Sequence, residues 1–321
     1  MHIPENYLSP STCGVMTAVM IPVWVRAAKN VKKYIPKEKM PLLGVAAAFS
    51  FLGMMFNIPL PGGTTGHAVG GTLIALLLGP DAACISVTIA LLVQALIFGD
   101  GGILSFGANC FNMAFVLPYL GYAVYGILEK KTGKYPAAAI ASYIGINAAS
   151  LCAAIEFGIQ PYLFTDAEGL ALYCPYGLGV SIPVMMIGHL TLFGLAEVIF
   201  TVGIYAFVSK VSPEIISSPE GGKSGGLMAL MGVLILCVPA GLLAEGTAWG
   251  EWGLDELAEM GFAPSGMVDG FNMSVLIPDY AIEGIPDAAG YILSAVIGAA
   301  ILVLLFRILA AGMKKKTDYS R

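Results

Sequence analysis

Apolar residues in this chain run in long blocks, not in the alternation of a half-buried strand. The blocks cover 11–28, 40–56, 67–79, 81–98, 110–128, 137–157, 179–208, 226–243 and 289–311. Most are apolar all round, which is the pattern of a helix in lipid. They predict an all-α, polytopic membrane helix bundle of about nine segments: seven, then a carboxy-terminal two-helix hairpin. A full span needs roughly 20 residues at about 1.5 Å each. Segment 67–79 covers only about 20 Å of a core about 30 Å thick. It is therefore expected to begin inside the membrane, after a loop over 57–66. Irregular backbone at that depth persists only when buried in protein or lining a cavity, so the loop is a candidate site. Residues 211–225, with SPEIISSPEGGKSG at 212–225, read as a cytoplasmic linker. They divide a 1–210 unit from the hairpin of 226–321, whose external loop runs over 244–288.

Composition agrees with this class. The 321 residues are 57% hydrophobic and only 12% charged, about half the charge of a soluble domain. The net charge of −5 matters less than where charge lies. All 16 basic residues fall in Arg26–Lys39, Lys130–Lys134, Lys210–Lys223 and Arg307–Arg321. With the amino terminus outside and the carboxy terminus cytoplasmic, nine spans place all of these clusters inside the cell. The external segments keep acids such as Asp100, Asp166, Glu245, Glu251 and Asp279. No signal peptide, repeat or nucleic-acid patch is expected. Cys13, Cys84, Cys110, Cys152, Cys174 and Cys237 are scattered, without a CxxC pair, and read as small hydrophobes. Trp249 and Trp252 read as interfacial anchors.

The candidate chemistry begins at Met1-His2. A free amine, the His2 backbone nitrogen and its imidazole can chelate one ion through fused rings. His67 can add a fourth nitrogen. Four nitrogens in a plane suit Ni(II), Cu(II) and low-spin Co(II), whereas Mg and Ca prefer oxygens. The chain has only 3 histidines, and His67 stands in the break Pro59–Gly71. Its glycines allow close backbone approach. Thr64 and Thr65 can satisfy freed backbone groups or orient an imidazole. Tight small-residue packing explains the glycines but leaves a histidine at membrane depth unexplained. A second break holds Asp100, Asn109 and Asn112, on the same side as His67. Asp100 and Asn109 are candidates to orient the ligands, and a helix cap at 110 is an equal reading of Asn109. His189 and Glu197 are eight apart, about 12 Å along a helix axis, so a direct pair is not expected. His189 reads as structural, and Glu156 as a buried contact. No Walker A, GxSxG, HExxH or paired-carboxylate motif is present, so ATP hydrolysis or other catalysis in this chain is not expected.

The segments MHIPENYLSP, PGGTTGHAVGGTL, QALIFGDGGILSFGANCFNMAF and GLLAEGTAWGEWG resemble the substrate-binding membrane component of cobalt and nickel importers, the CbiM/NikM type of energy-coupling-factor transporters. The resemblance is strong over roughly 1–210 and implies a helix bundle into which the amino-terminal segment plugs back. It implies metal ligation by Met1, His2 and His67, with cobalt or nickel as cargo and no permanent cofactor. It also implies a transmembrane coupling subunit and cytoplasmic ATPase subunits as partners. Two features depart. Positions 5–7 are Glu-Asn-Tyr where the family commonly has Asp-Gly-Phe. The hairpin resembles the small accessory component but lacks its acidic PDGLE-like signature. Three other readings remain: a membrane subunit binding an organic vitamin, a membrane metalloenzyme with an open coordination position, and a structural scaffold.

Overall fold

The computed structural model describes residues 1–61, 63–217, 225–244 and 246–312. Residues 218–224 of the linker expected at 211–225, Lys223 among them, lie outside these residues, as do Glu245 and the basic residues after 312. Among the described residues, 8 helices are long and apolar enough to cross a membrane. They are α1 Pro10–Tyr34, α2 Lys37–Met55, α4 Pro80–Phe98, α5 Phe106–Thr132, α6 Lys134–Leu163, α7 Leu178–Val211, α8 Gly225–Leu243 and α9 Asp287–Gly312. The short segment is α3, Gly71–Leu78, which ends at Gly79 before α4 begins.

The ends of the helices follow local chemistry. Ser9 caps α1 by accepting the Thr12 N–H at 3.1 Å, and Pro10 follows where its missing N–H costs nothing. Helix α2 is rich in Ala and Gly and is buried over almost its whole length. It carries α9 along one side. A Cβ on Gly44 would stand 2.9 Å from the Leu302 carbonyl oxygen, and one on Gly298 would stand 2.3 Å from the Phe51 ring. The hairpin's last helix thus packs directly on the core.

Helices α4, α5 and α7 each contain one π-helical stretch, at Gln94–Phe98, Cys110–Val116 and His189–Phe193. Such insertions are frequent at functional sites. They turn Gln94, Asn112 and His189 inward, and all three are buried.

The loop expected at 57–66 is ordered as an antiparallel pair, β1 Ile58–Leu60 and β2 Thr64–Gly66, with Pro59 opposite Thr65. Strand pairing satisfies backbone groups that helix geometry does not reach here. Apart from Lys29 within α1, the described lysines sit at helix ends on one side of the bundle: Lys32 and Lys33, Lys37 and Lys39, Lys130 and Lys131, Lys134, and Lys210. The strand pair, the amino-terminal segment and the 246–280 loop lie at the other side.

Cys13, Cys84, Cys110 and Cys174 are buried and unpaired, as small hydrophobes are. Cys237 differs in being exposed.

Candidate metal centre

Residues 1–9 form no helix. They turn back into the bundle as a strap, with Met1, His2, Ile3, Tyr7, Leu8 and Ser9 all buried. The strap is held by hydrogen bonds from distant elements. Asn109 accepts the Ile3 N–H at 2.8 Å and donates to the Ile3 carbonyl at 3.0 Å. The Gly102 N–H and the Ser105 hydroxyl donate to the same carbonyl at 2.9 and 2.6 Å. Glu5 accepts the Ile103 and Leu104 N–H groups at 2.7 and 3.0 Å. Burial pushes the Glu5 carboxyl above its ordinary pKa, and the two N–H bonds pull it part of the way back. A side chain at 102 would stand 2.6 Å from the Glu5 nitrogen, so only Gly lets the strap lie this close.

Asn109 is therefore no helix cap. It lies inside α5, three residues past the start, and clamps the strap. The departure at positions 5–7 is also explained. Asn6 adopts φ 63°, a left-handed conformation that Asn tolerates better than most residues. Its side chain binds the Phe271 backbone through both amide atoms, at 2.8 and 3.0 Å.

His67 arrives from the other side, one residue after β2. Its Nδ1 faces the Ala68 carbonyl at 3.2 Å. A carbonyl only accepts, so that nitrogen carries the proton and Nε2 presents a lone pair. Nε2 points at the Nδ1 of His2, 3.1 Å away. Both rings are buried, with centroids 5.0 Å apart. Two residues farther on, the backbone is pinned by Glu197, a wholly buried carboxylate on α7. It accepts the Val69 N–H at 2.7 Å and the Gly70 N–H at 3.0 Å. Ser50 of α2 donates to the Val69 carbonyl at 2.7 Å. Gly70 has φ 73° and opens α3. A Cβ there would meet Phe200 at 2.7 Å.

The remaining sequence candidates fall around these rings. The Met1 nitrogen is 2.7 Å from Glu251 Oε1. Asp100 Oδ1 is 3.2 Å from His2 Nδ1. Its Oδ2 accepts from Tyr280 and Gln94, which fixes the carboxylate's direction. Thr64 accepts the Trp249 N–H at 2.8 Å and so serves the backbone, not an imidazole. Thr65 is buried on the cavity wall beside His67. Asn112 donates to Glu156 at 2.8 Å, away from the rings. His189 donates from Nδ1 to Met185 O at 2.8 Å within its own helix, the structural role expected, and lines a small cavity with Met1.

Two participants had no signal in helical spacing. Glu197 binds backbone rather than His189. Glu251 belongs to the loop between α8 and α9 and reaches the first residue across 250 positions. Its neighbours Trp249 and Trp252, expected as interfacial anchors, instead pack with Tyr176 above the strap, with ring centroids 5.3 and 5.9 Å from it. Trp252 also accepts the Tyr7 hydroxyl at 2.7 Å.

The donor atoms suit a transition ion. Two nitrogens at right angles, each about 2 Å from one ion, lie about 2.8 Å apart, close to the 3.1 Å between the rings. Residues 2–215 match the family described as the cobalt uptake substrate-specific transmembrane region, and 225–315 match the PDGLE domain. The second match covers the hairpin although the string PDGLE itself does not occur in the sequence; Asp287 starts α9, where an acid is favourable. The chain is 49% identical to the probable fused nickel transport protein LarMN of Lactiplantibacillus plantarum, over 100% of both chains. It is 43% identical to the fused nickel transport protein NikMN of Rhodobacter capsulatus, over 99% of both. A crystal structure of a truncated transition metal transporter is 55% identical, with a TM-score of 0.63 over 65% of this chain and 98% of that one.

Proposed function

Since the chain belongs to the family of cobalt-uptake substrate-specific transmembrane proteins, we propose that it captures Co(II) or Ni(II) at the outer face through Met1, His2 and His67. It is a transport protein and not an enzyme, and the metal is its cargo. The Met1 amine, the His2 backbone nitrogen, His2 Nδ1 and His67 Nε2 make the four-nitrogen set. The observation that carries this reading is the 3.1 Å approach of the two imidazole nitrogens inside a buried pocket. They come from segments with no other reason to place histidines face to face. The strap holds one ring and the Glu197-pinned turn holds the other, so the pocket is organised before the ion arrives.

In this reading the lysine-bearing end of the bundle is cytoplasmic. Residues 1–210 form the metal-binding unit. Residues 226–321 form an accessory-like hairpin fused to it through the linker. A transmembrane coupling subunit and cytoplasmic ATPases drive import, since the chain has no nucleotide-binding motif of its own.

The test is metal content and affinity of the purified chain with its native amino terminus. Wild type should retain one tightly bound Co(II) or Ni(II). His67→Ala and an alanine placed before Met1 should each abolish tight binding while leaving the thermal transition in place. Wild-type affinity in either variant overturns this ligand set.

A further inference from the structure

A cavity of about 320 Å³ lies against the two imidazoles and carries His2 and His67 on its wall. Asp100, Glu251 and Asp279 line it too, with no lysine or arginine among the lining residues. Burial and the neighbouring Asp100 both push the Asp279 carboxyl up, as expected where like charges share a confined space. His2 is 1% exposed, and its second ring nitrogen, Nε2, has no hydrogen-bond partner among the described residues. One ring nitrogen of His2, one oxygen of Asp100 and one of Glu251 all lie within 4.8 Å of one another. That spread is what a single divalent ion spans.

One atom of His2 faces both donor types: its Nδ1 stands 3.2 Å from the Asp100 oxygen and 3.1 Å from the His67 nitrogen. Carboxylate oxygens suit an ion that still carries water and that exchanges quickly, whereas imidazole and amine nitrogens hold a transition ion tightly. Resting on the four-nitrogen reading above, we propose that Asp100 and Glu251 form a second, oxygen-rich reception site for the divalent ion in this cavity, sharing His2 with the tight site. The ion arrives on the two carboxylates and His2. It then exchanges Asp100 for His67 while remaining on the His2 ring. Glu251 meanwhile takes a proton from the Met1 ammonium, its partner at 2.7 Å, and passes it to water in the cavity, which leaves a neutral amine free to turn to the ion. Asp100 is held ready for this by Tyr280 and Gln94, which occupy Oδ2 and leave Oδ1 facing His2. Glu251 comes from the loop of the hairpin unit, which thereby supplies part of the path that loads the site.

Stopped-flow binding of Co(II) to the detergent-purified full chain tests this. Glu251→Gln and Asp100→Asn should each slow association by about 10-fold and flatten its dependence on ionic strength, as loss of an attracting charge does. Dissociation and the visible spectrum of bound Co(II) should stay as in wild type, because the nitrogen set is intact. Glu251→Asp should restore the rate. Wild-type association in both neutral variants overturns the reception site. So does a change confined to dissociation with an altered spectrum, which makes the carboxylates outer supports of the tight site only. Wild type that binds no Co(II) tightly instead refutes the four-nitrogen reading.

Discussion

The two imidazoles that meet in the pocket are delivered by unlike constructions. His2 rides on a strap with no secondary structure, fastened by side chains of α5 and of the loops around it. His67 rides on a strand end whose next turn is locked into the bundle by Glu197, Ser50 and Phe200. The strap is anchored at many exchangeable points, and the turn at a few deeply buried ones. Loss of one strap contact leaves neighbours to share the load. The Ile3 carbonyl, for example, keeps Gly102 and Ser105 when Asn109 is removed. The buried N–H groups at 69 and 70 have no such reserve, because both depend on one carboxylate.

This contrast sets an order of effects. Glu197→Ala strands two buried N–H groups, each costing about 1–3 kcal/mol, and should lower the thermal transition of the whole bundle as well as metal affinity. A variant that melts like wild type erases the distinction. Asn109→Ala costs about 1–3 kcal/mol for the one N–H it orphans. The loss should be local, seen as faster hydrogen exchange at Ile3 with the bundle transition nearly unchanged. Global melting there would show that strap and bundle form one cooperative unit. Thr64→Val removes a single bond from a partly buried N–H and should cost only about 0.5–1.5 kcal/mol, with metal affinity close to wild type.

Much of this was legible in sequence. The spans follow from apolar block length, and the short α3 from a block too short to cross. His67 stood out because a titratable group in a glycine-rich break has few structural uses. The rest escaped for definite reasons. Asn109 carries the usual marks of a cap, and only the returning strap gives it another partner. Helical spacing relates Glu197 only to its own helix, while its partners are backbone groups 127 and 128 positions away. Glu251 sits in a loop with no periodicity, so nothing local reports its contact with Met1. An acid between two tryptophans in a long loop was the available clue. A π-helical insertion alters spacing by one residue and is invisible in a block that is apolar on every face.

The seam between α2 and α9, where Gly44 admits the backbone at Leu302 and Gly298 admits Phe51, has a further consequence. Because one polypeptide carries both helices, their docking is a first-order event. A covalent tether that spans the distance between two docked elements raises their effective concentration to about the millimolar range. An association too weak to join two free chains at cellular abundance is then nearly saturated. The fusion therefore relaxes the demand on that seam: close, glycine-lined contacts need not also supply the affinity that separately made subunits require, and dilution cannot unbind them.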